Sequence, residues 1–241
     1  MNAIDITQLS KHYGELPVLT DIELSVAIGE YMGLIGANGA GKTTLIKSLL
    51  DFTNANTGQM RIFGHTHNTL AAKAQLSFLP EKYQPPYFQS GRQFLHSFCR
   101  LHQVDFDEHQ AKHTLQELDF DIQHLDKTAR QYSKGMVQKI GLTACILSQK
   151  PLLILDEPMS GLDPLARARF RDVLVQQKAA GRSLFFSSHM LSDVEQLCDR
   201  IAILDQGRLR FVGTPSVCKY KYQANTLENA YLNCIGRTRA A

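Results

Sequence analysis

Residues 36 to 43 read GANGAGKT, a glycine-rich run that ends in a lysine and a threonine. The spacing is G-x-x-x-x-G-K-[ST], placed after an apolar run and before a helical pattern, the context that a phosphate-binding loop requires. Gly36, Gly39 and Gly41 let the backbone fold so that its amides converge on phosphate oxygens, with Ala37, Asn38 and Ala40 completing the loop. The helix beginning near Lys42 adds its positive end. Lys42 can reach the terminal phosphates, and Thr43, followed by Thr44, can offer its hydroxyl to Mg²⁺. The plain alternative is a glycine-rich turn with an incidental lysine, and the placement between strand and helix argues strongly against it.

A second group lies far along the chain. Leu152 to Leu155 form an apolar run that ends in Asp156 and Glu157. A carboxylate at the end of a buried strand can hold Mg²⁺, directly or through water. Glu157, one residue beyond, can polarise a water in line with the last phosphate as a general base. Alone, this pattern is no more than a charged strand end. Coupled to the loop, lysine, threonine and two acids supply the nucleotide, metal and water positions of phosphoryl transfer.

Elements must position these groups. Ile4 and Ile6 alternate with polar neighbours, as do Ile22, Leu24 and Val26, and both read as strands. Tyr31 to Ile35 is a short buried strand feeding the loop, and Thr43 to Leu50 is the helix after it. Asn54 to Gly58 reads as a turn before a strand from Gln59 to Phe63. From Tyr83 to Ile146 the pattern is mostly helical, with Phe94, Leu95, Phe98, Leu101 and then Ala111, Leu115, Leu118 at helical spacing. Strands return at Leu152 to Asp156, Leu184 to Ser188 and Arg200 to Leu204, with helices Pro164 to Ala179 and Leu191 to Cys198 between them. Strands alternating with helices argue for a largely parallel sheet, with a helical insertion in an α/β core.

The totals exclude several classes. The chain has 241 residues, 44% hydrophobic and 20% charged, which suits one globular domain of one lobe or two. A net charge of +3 is too mild to call for nucleic acid. No run approaches the ~20 apolar residues of a membrane helix. MNAIDITQLS has neither the basic start nor the apolar run of a signal peptide. Cys99, Cys145, Cys198, Cys218 and Cys234 form no C-x-x-C pair and read as reduced packing residues of a cytoplasmic protein.

Three further stretches complete an ordered set. SKGMVQ at Ser133 to Gln138 precedes LLILDEP, SGLDP follows at Ser160 to Pro164, and SSHML stands at Ser187 to Leu191. With GANGAGKTT, this set resembles the ATP-binding subunit of ABC transporters over nearly the whole chain. The resemblance implies a P-loop NTPase with a RecA-like core, an N-terminal antiparallel β subdomain and an inserted α-helical subdomain. The core would span 1–82 and 147–215, the helical subdomain 83–146, and a short tail 216–241. Tyr13 in KHYGELPVL would stack on adenine. Glu81, after Phe78-Leu79-Pro80, would lie in the loop joining core and helical lobe, near Mg²⁺ or the attacking water. Ser133 and Gly135 would sit in the signature motif, Asp163 in the loop linking two subunits, and His189 would be the switch histidine beside the last phosphate. Glu157 carries over as catalytic base, and Asp156 and Thr43 as magnesium-associated residues.

The chain departs from the family's pattern. The usual signature LSGGQ is YSKGM here, so Tyr132, Lys134 and Met136 stand for leucine, glycine and glutamine. Glu81 stands for the usual glutamine and Ala37 for a frequent proline. The YSKGM form and the glutamate resemble a bacterial subgroup of exporters with separate permeases.

Plainer uses stand beside these roles. Ser133 is equally a helix cap, and a cap serine can also face a phosphate. Lys134 either tunes closure between subunits or faces water. Tyr13 can be a turn aromatic. The run from Lys82 to Phe94 is either a packed rigid loop or a groove for a permease helix. His65 with His67, and His109 with His113, lack a third ligand and read as surface. The tail is expected only to pack, with Leu227, Ala230 and Tyr231 on one helix.

The resemblance thus implies an ATP hydrolase using ATP and Mg²⁺, peripheral at the cytoplasmic face of the inner membrane. It would pair with a polytopic membrane permease, as a homodimer or heterodimer of ATP-binding subunits, without nucleic acid. The alternative is a non-transport ABC ATPase acting on ribosomes or nucleic acid. One cassette without coiled-coil or zinc-binding insertions argues against it.

Overall fold

The computed structural model describes residues 1–236. Two units divide the chain, Met1–Gln75 together with the stretch from Ser183, and Leu76–Arg182.

In the first unit, β1 (Asn2–Tyr13) pairs antiparallel with β2 (Leu16–Ala27) and with β4 (Thr57–Ile62), and β4 pairs with β5 (His65–Thr66). The alternation in the sequence sets the register. Ile4 faces Val26 and Ile6 faces Leu24, so one face carries the buried residues. The strand expected from Gln59 begins two residues earlier, at Thr57.

The same unit holds β3 (Tyr31–Ile35), which is buried along its whole length. It runs parallel to β8 (Ser183–Ser188) on one side and β9 (Arg200–Asp205) on the other, and β10 (Arg208–Gly213) returns antiparallel to β9. A strand flanked on both edges and covered on both faces reads as an unbroken apolar run, as Tyr31 to Ile35 does. The helices of this unit are α1 (Lys42–Leu49), the short α2 (Leu70–Lys73), α7 (Leu191–Leu197), α8 (Pro215–Lys221) and α9 (Leu227–Cys234). On β3, Gly33 admits α7 closely. A β-carbon there would come within 2.7 Å of Val194 Cγ1 and 2.9 Å of Cys198 Sγ. In the tail as far as Gly236, Leu227 and Ala230 are buried on α9 and Tyr231 is half-buried, and residues 237–241 of the expected tail lie outside the described residues.

In the second unit, β6 (Leu76–Leu79) and β7 (Leu152–Asp156) form a parallel pair. Four helices accompany it, namely α3 (Gly91–Leu101), α4 (Glu108–Glu117), α5 (Lys134–Leu147) and α6 (Pro164–Ala179). Phe94, Leu95, Leu115, Phe120, Ile140 and Ala144 share one core between α3, α4 and α5. The helical expectation for 83–146 holds from Gly91 onward, interrupted by 3-10 turns at Ile122–His124 and Ala129–Gln131. Residues 83–90 form a loop, in which Pro85 and Pro86 have no backbone donor for a helix. Leu101, grouped with the apolar face of α3 by spacing, is exposed at the end of that helix.

Candidate functional site

The phosphate loop grows directly out of β3. Gly36 packs so tightly that a β-carbon would sit 2.5 Å from the Leu204 carbonyl. Ala40 donates its N–H to the Ala37 carbonyl at 3.1 Å, closing the turn, and its own carbonyl accepts from Gly207 N–H at 3.1 Å. Gly39 and Gly41 take φ of +82° and +109°, a region that a residue with Cβ adopts only at a cost. At Gly41 a β-carbon would also press on Leu19 Cδ2 at 2.9 Å.

This loop leaves the start of α1 open. Gly41 supplies no side-chain cap, and the first turn has no acid. By contrast α3, α4, α5 and α6 are capped by Ser90, Asp107, Ser133 and Asp163. A helix start that no side chain caps, with the helix dipole behind it, suits an external anion. Lys42 is only 6% exposed, and its Nζ donates to the Gly36 carbonyl at 2.7 Å. Thr43 is exposed and Thr44 half-buried. A buried ammonium, the amides of an uncapped helix start and a hydroxyl form a donor set that fits a phosphate chain with an accompanying hard cation.

Tyr13 ends β1 at the hairpin turn and is exposed, so it is not a core aromatic. Lys11 Nζ stands 4.7 Å from its ring centroid. The turn leads within a few residues to Val18 and Leu19, which flank Gly41. His189 follows β8 and is exposed, and Ser188 Oγ accepts the Met190 N–H at 2.9 Å just beyond it.

In the second unit, Asp156 ends β7 and Glu157 follows it, at 3% and 8% exposure. Glu157 has φ of +48°. Ten described non-glycine residues share a positive φ, and Glu157 alone of them is buried. Backbone strain of this kind amounts to about 1–3 kcal/mol and concentrates where a side chain must be aimed. Its carbonyl accepts from Ser160 N–H at 3.1 Å, which turns the chain into the SGLD stretch. Glu81 is half-buried, and its carbonyl accepts from Gln138 Nε2 at 3.3 Å.

Ser133 caps α5, with Oγ accepting the Met136 N–H at 3.2 Å. It remains exposed, so capping leaves it within reach of solvent or a partner. Asp163 caps α6, accepting from Ala166 N–H at 2.9 Å. Backbone amides, that of Ala166 foremost, hold its carboxyl below the ordinary aspartate range. The signature stretch and the SGLD loop lie together, because Leu162 Cδ2 stands 3.5 Å from where Gly135 would carry a β-carbon.

Sequence reasoning assigned no role to Tyr132. Its hydroxyl accepts the Gly91 N–H at 3.1 Å and donates to the His124 carbonyl at 2.9 Å. The aromatic run before α3 divides in two. Tyr83 packs on Phe94 at 5.6 Å between centroids, whereas Tyr87 and Phe88 are exposed and meet edge to face at 5.5 Å. Phe88 borders a groove of about 650 Å³ with Arg92, His96, Phe106 and Glu108. Among the described residues, no group of three or more His, Cys, Asp or Glu side chains is arranged to hold a metal, and no helix is long and apolar enough to cross a membrane.

A family model described as ABC transporter matches residues 19–160. An ABC transporter ATP-binding protein of Synechocystis is 37% identical, over 88% of this chain and 63% of its own length. The daunorubicin resistance ATP-binding protein DrrA3 of Streptomyces coeruleorubidus is 33% identical, over 90% of this chain and 70% of its own. The Nod factor export ATP-binding protein I of Rhizobium meliloti is 32% identical, over 88% and 64%. A solved ATP-binding subunit of an ABC transporter superposes with a TM-score of 0.83 at 29% identity, covering 96% of this chain and 99% of its own. The chain spans 63% and 58% of the length of its Synechocystis and Nostoc relatives.

Proposed function

The chain belongs to the ABC transporter family of ATP-binding proteins, and on that footing we propose that it hydrolyses ATP to drive transport through a separate membrane permease. The observation that carries this reading is the phosphate loop, where Lys42 is buried over an α1 start that no side chain caps. The names of two relatives, one for drug resistance and one for Nod factor export, favour export as the direction.

In this reading Tyr13 stacks on adenine and the amides of 36–44 hold the phosphates. Lys42 exchanges its hold on the Gly36 carbonyl for a phosphate oxygen. Thr43 and Asp156 are the magnesium-associated residues, with Glu81 near them. Bound magnesium supplies charge neutralisation on the transferring phosphoryl group. Glu157 orients and deprotonates the attacking water, and its strained backbone fixes the direction of the carboxylate. His189 supports that water and the last phosphate.

Ser133 and Gly135 close on the nucleotide of an opposing ATP-binding subunit, and Asp163 lines the same junction. Closure of two subunits excludes bulk water and pulls on the permease. The helical stretch 83–146 is the lobe that presents the signature motif. The exposed Tyr87 and Phe88 beside the groove at Arg92 dock a short permease helix, and the subunit is peripheral at the cytoplasmic face of the membrane.

Magnesium-dependent ATP hydrolysis by the purified chain tests the first half. Co-purification with a polytopic membrane protein tests the second. ATPase stimulation by nucleic acid, with no membrane partner, would overturn the transport reading.

A further inference from the structure

Lys134 occupies a position where a glycine is usual, and neither the phosphate loop nor Glu157 requires it. The structure gives its side chain a definite place. The stem crosses Gly161, so that a β-carbon at 161 would lie 2.8 Å from Lys134 Nζ and 3.2 Å from both Cδ and Cε. Gly161 has φ of +78° and offers no side chain of its own. The next residue pair repeats the contact, Leu162 Cδ2 lying 3.5 Å from the β-position of Gly135. Two successive residues at the start of α5 therefore rest on two successive residues of the loop that ends in Asp163, the cap of α6.

Charge does not explain the lysine. It is the first residue of α5, and that first turn has no acid. A cation at the positive end of a helix is electrostatically misplaced. The contact with the bare glycine is made by the end of the side chain, Cδ and Cε lying on it together with Nζ.

We propose that Lys134 is a positioning residue. Its stem, seated on Gly161, ties the signature stretch to the SGLD loop, so that Ser133, Gly135 and Asp163 reach an opposing subunit's nucleotide as one body. The functional half of this proposal rests on the two-subunit reading above. The seat itself stands on the contacts within one chain.

The full chain can be tested with Lys134→Ala, Lys134→Met and Gly161→Ala. Met keeps most of the stem and discards the charge. Two readouts apply, namely amide exchange of residues 160–163 without nucleotide, and the dependence of ATP hydrolysis on ATP concentration. Lys134→Ala should speed loop exchange several-fold and raise the half-saturating ATP several-fold, with kcat little changed. Lys134→Met should match the native chain in both. Adding Lys134→Ala to Gly161→Ala should worsen neither readout, because the seat is already lost. Loop exchange unaffected by Lys134→Ala overturns the seat. Lys134→Met as impaired as Lys134→Ala also overturns it, in favour of the charge. Whether Glu157→Gln traps an ATP-bound dimer tests the two-subunit reading separately. If no dimer forms, that reading fails and the exchange comparison alone decides the seat.

Discussion

The Tyr132 hydroxyl accepts the backbone N–H of Gly91, 41 residues earlier, at 3.1 Å. The same hydroxyl donates to the His124 carbonyl. One side chain thus satisfies the first amide of α3 and ties it to the turn at 122–124. It leaves no room for a β-carbon at Gly91, which would collide with that oxygen. Tyr132→Phe removes both bonds and strands the buried Gly91 amide, while the His124 carbonyl keeps the Lys127 N–H at 3.0 Å. The expected loss is about 1–3 kcal/mol in urea or thermal unfolding, with ATP binding unchanged.

Glu157→Gln keeps the shape of the side chain and removes the carboxylate proposed as the base. Hydrolysis should fall at least about 100-fold while ATP still binds. Gel filtration with ATP should show an accumulated dimer. Undiminished turnover would remove Glu157 from its role.

Asp163 titrates below the ordinary aspartate range because the α6 amides bind its ionised form. Its folded-state pKa is depressed, so its contribution is fully present above the unfolded-state value and is lost as pH falls through the folded one. Asp163→Asn caps without titrating. Native and variant chains should therefore diverge in melting temperature near neutrality and converge from about pH 4 downward. Parallel curves across that range would contradict the assignment.

Tyr87 and Phe88 are exposed, so their replacement by serine should leave melting temperature within about 1 °C and ATP affinity unchanged. Assembly with the permease should be lost. A collapse of the isolated subunit would show that these rings hold the lobe together instead.

Glu81→Gln exchanges an acceptor for a group that also donates. Its carbonyl bond to Gln138 involves the backbone and survives the change. ATP affinity should shift less than about three-fold, and hydrolysis should persist. The ratio of transport to hydrolysis in membrane vesicles should change most. An inactive variant would show that the ionised carboxylate is required.

The readable part of this chain is its local chemistry. The phosphate loop, the strand end at Asp156 and the Ser133 cap each follow from a few consecutive residues, because glycine spacing, apolar runs and capping side chains act over short distances. Strand ends shifted by a residue or two, since pairing partners rather than composition decide where a ladder stops. The roles of Tyr132 and Gly161 were not legible, because each depends on a residue brought near by the fold. Gly91 is a helix start with an ordinary neighbour until the tyrosine arrives, and Gly161 is a turn glycine until a lysine lies across it. The helical pattern likewise could not separate a half-buried Tyr83 from an exposed Tyr87.

Gly33 has a consequence in genetics. Every other amino acid one base change away from a glycine codon brings a β-carbon, and at this position that carbon meets Val194 of α7 and Cys198 at its C-terminal end. No such change at codon 33 is neutral in shape, because the helix must shift or the strand that feeds the phosphate loop must bend. A screen for lost function should recover alleles of codon 33 alongside those of the loop itself, although residue 33 lies outside that loop.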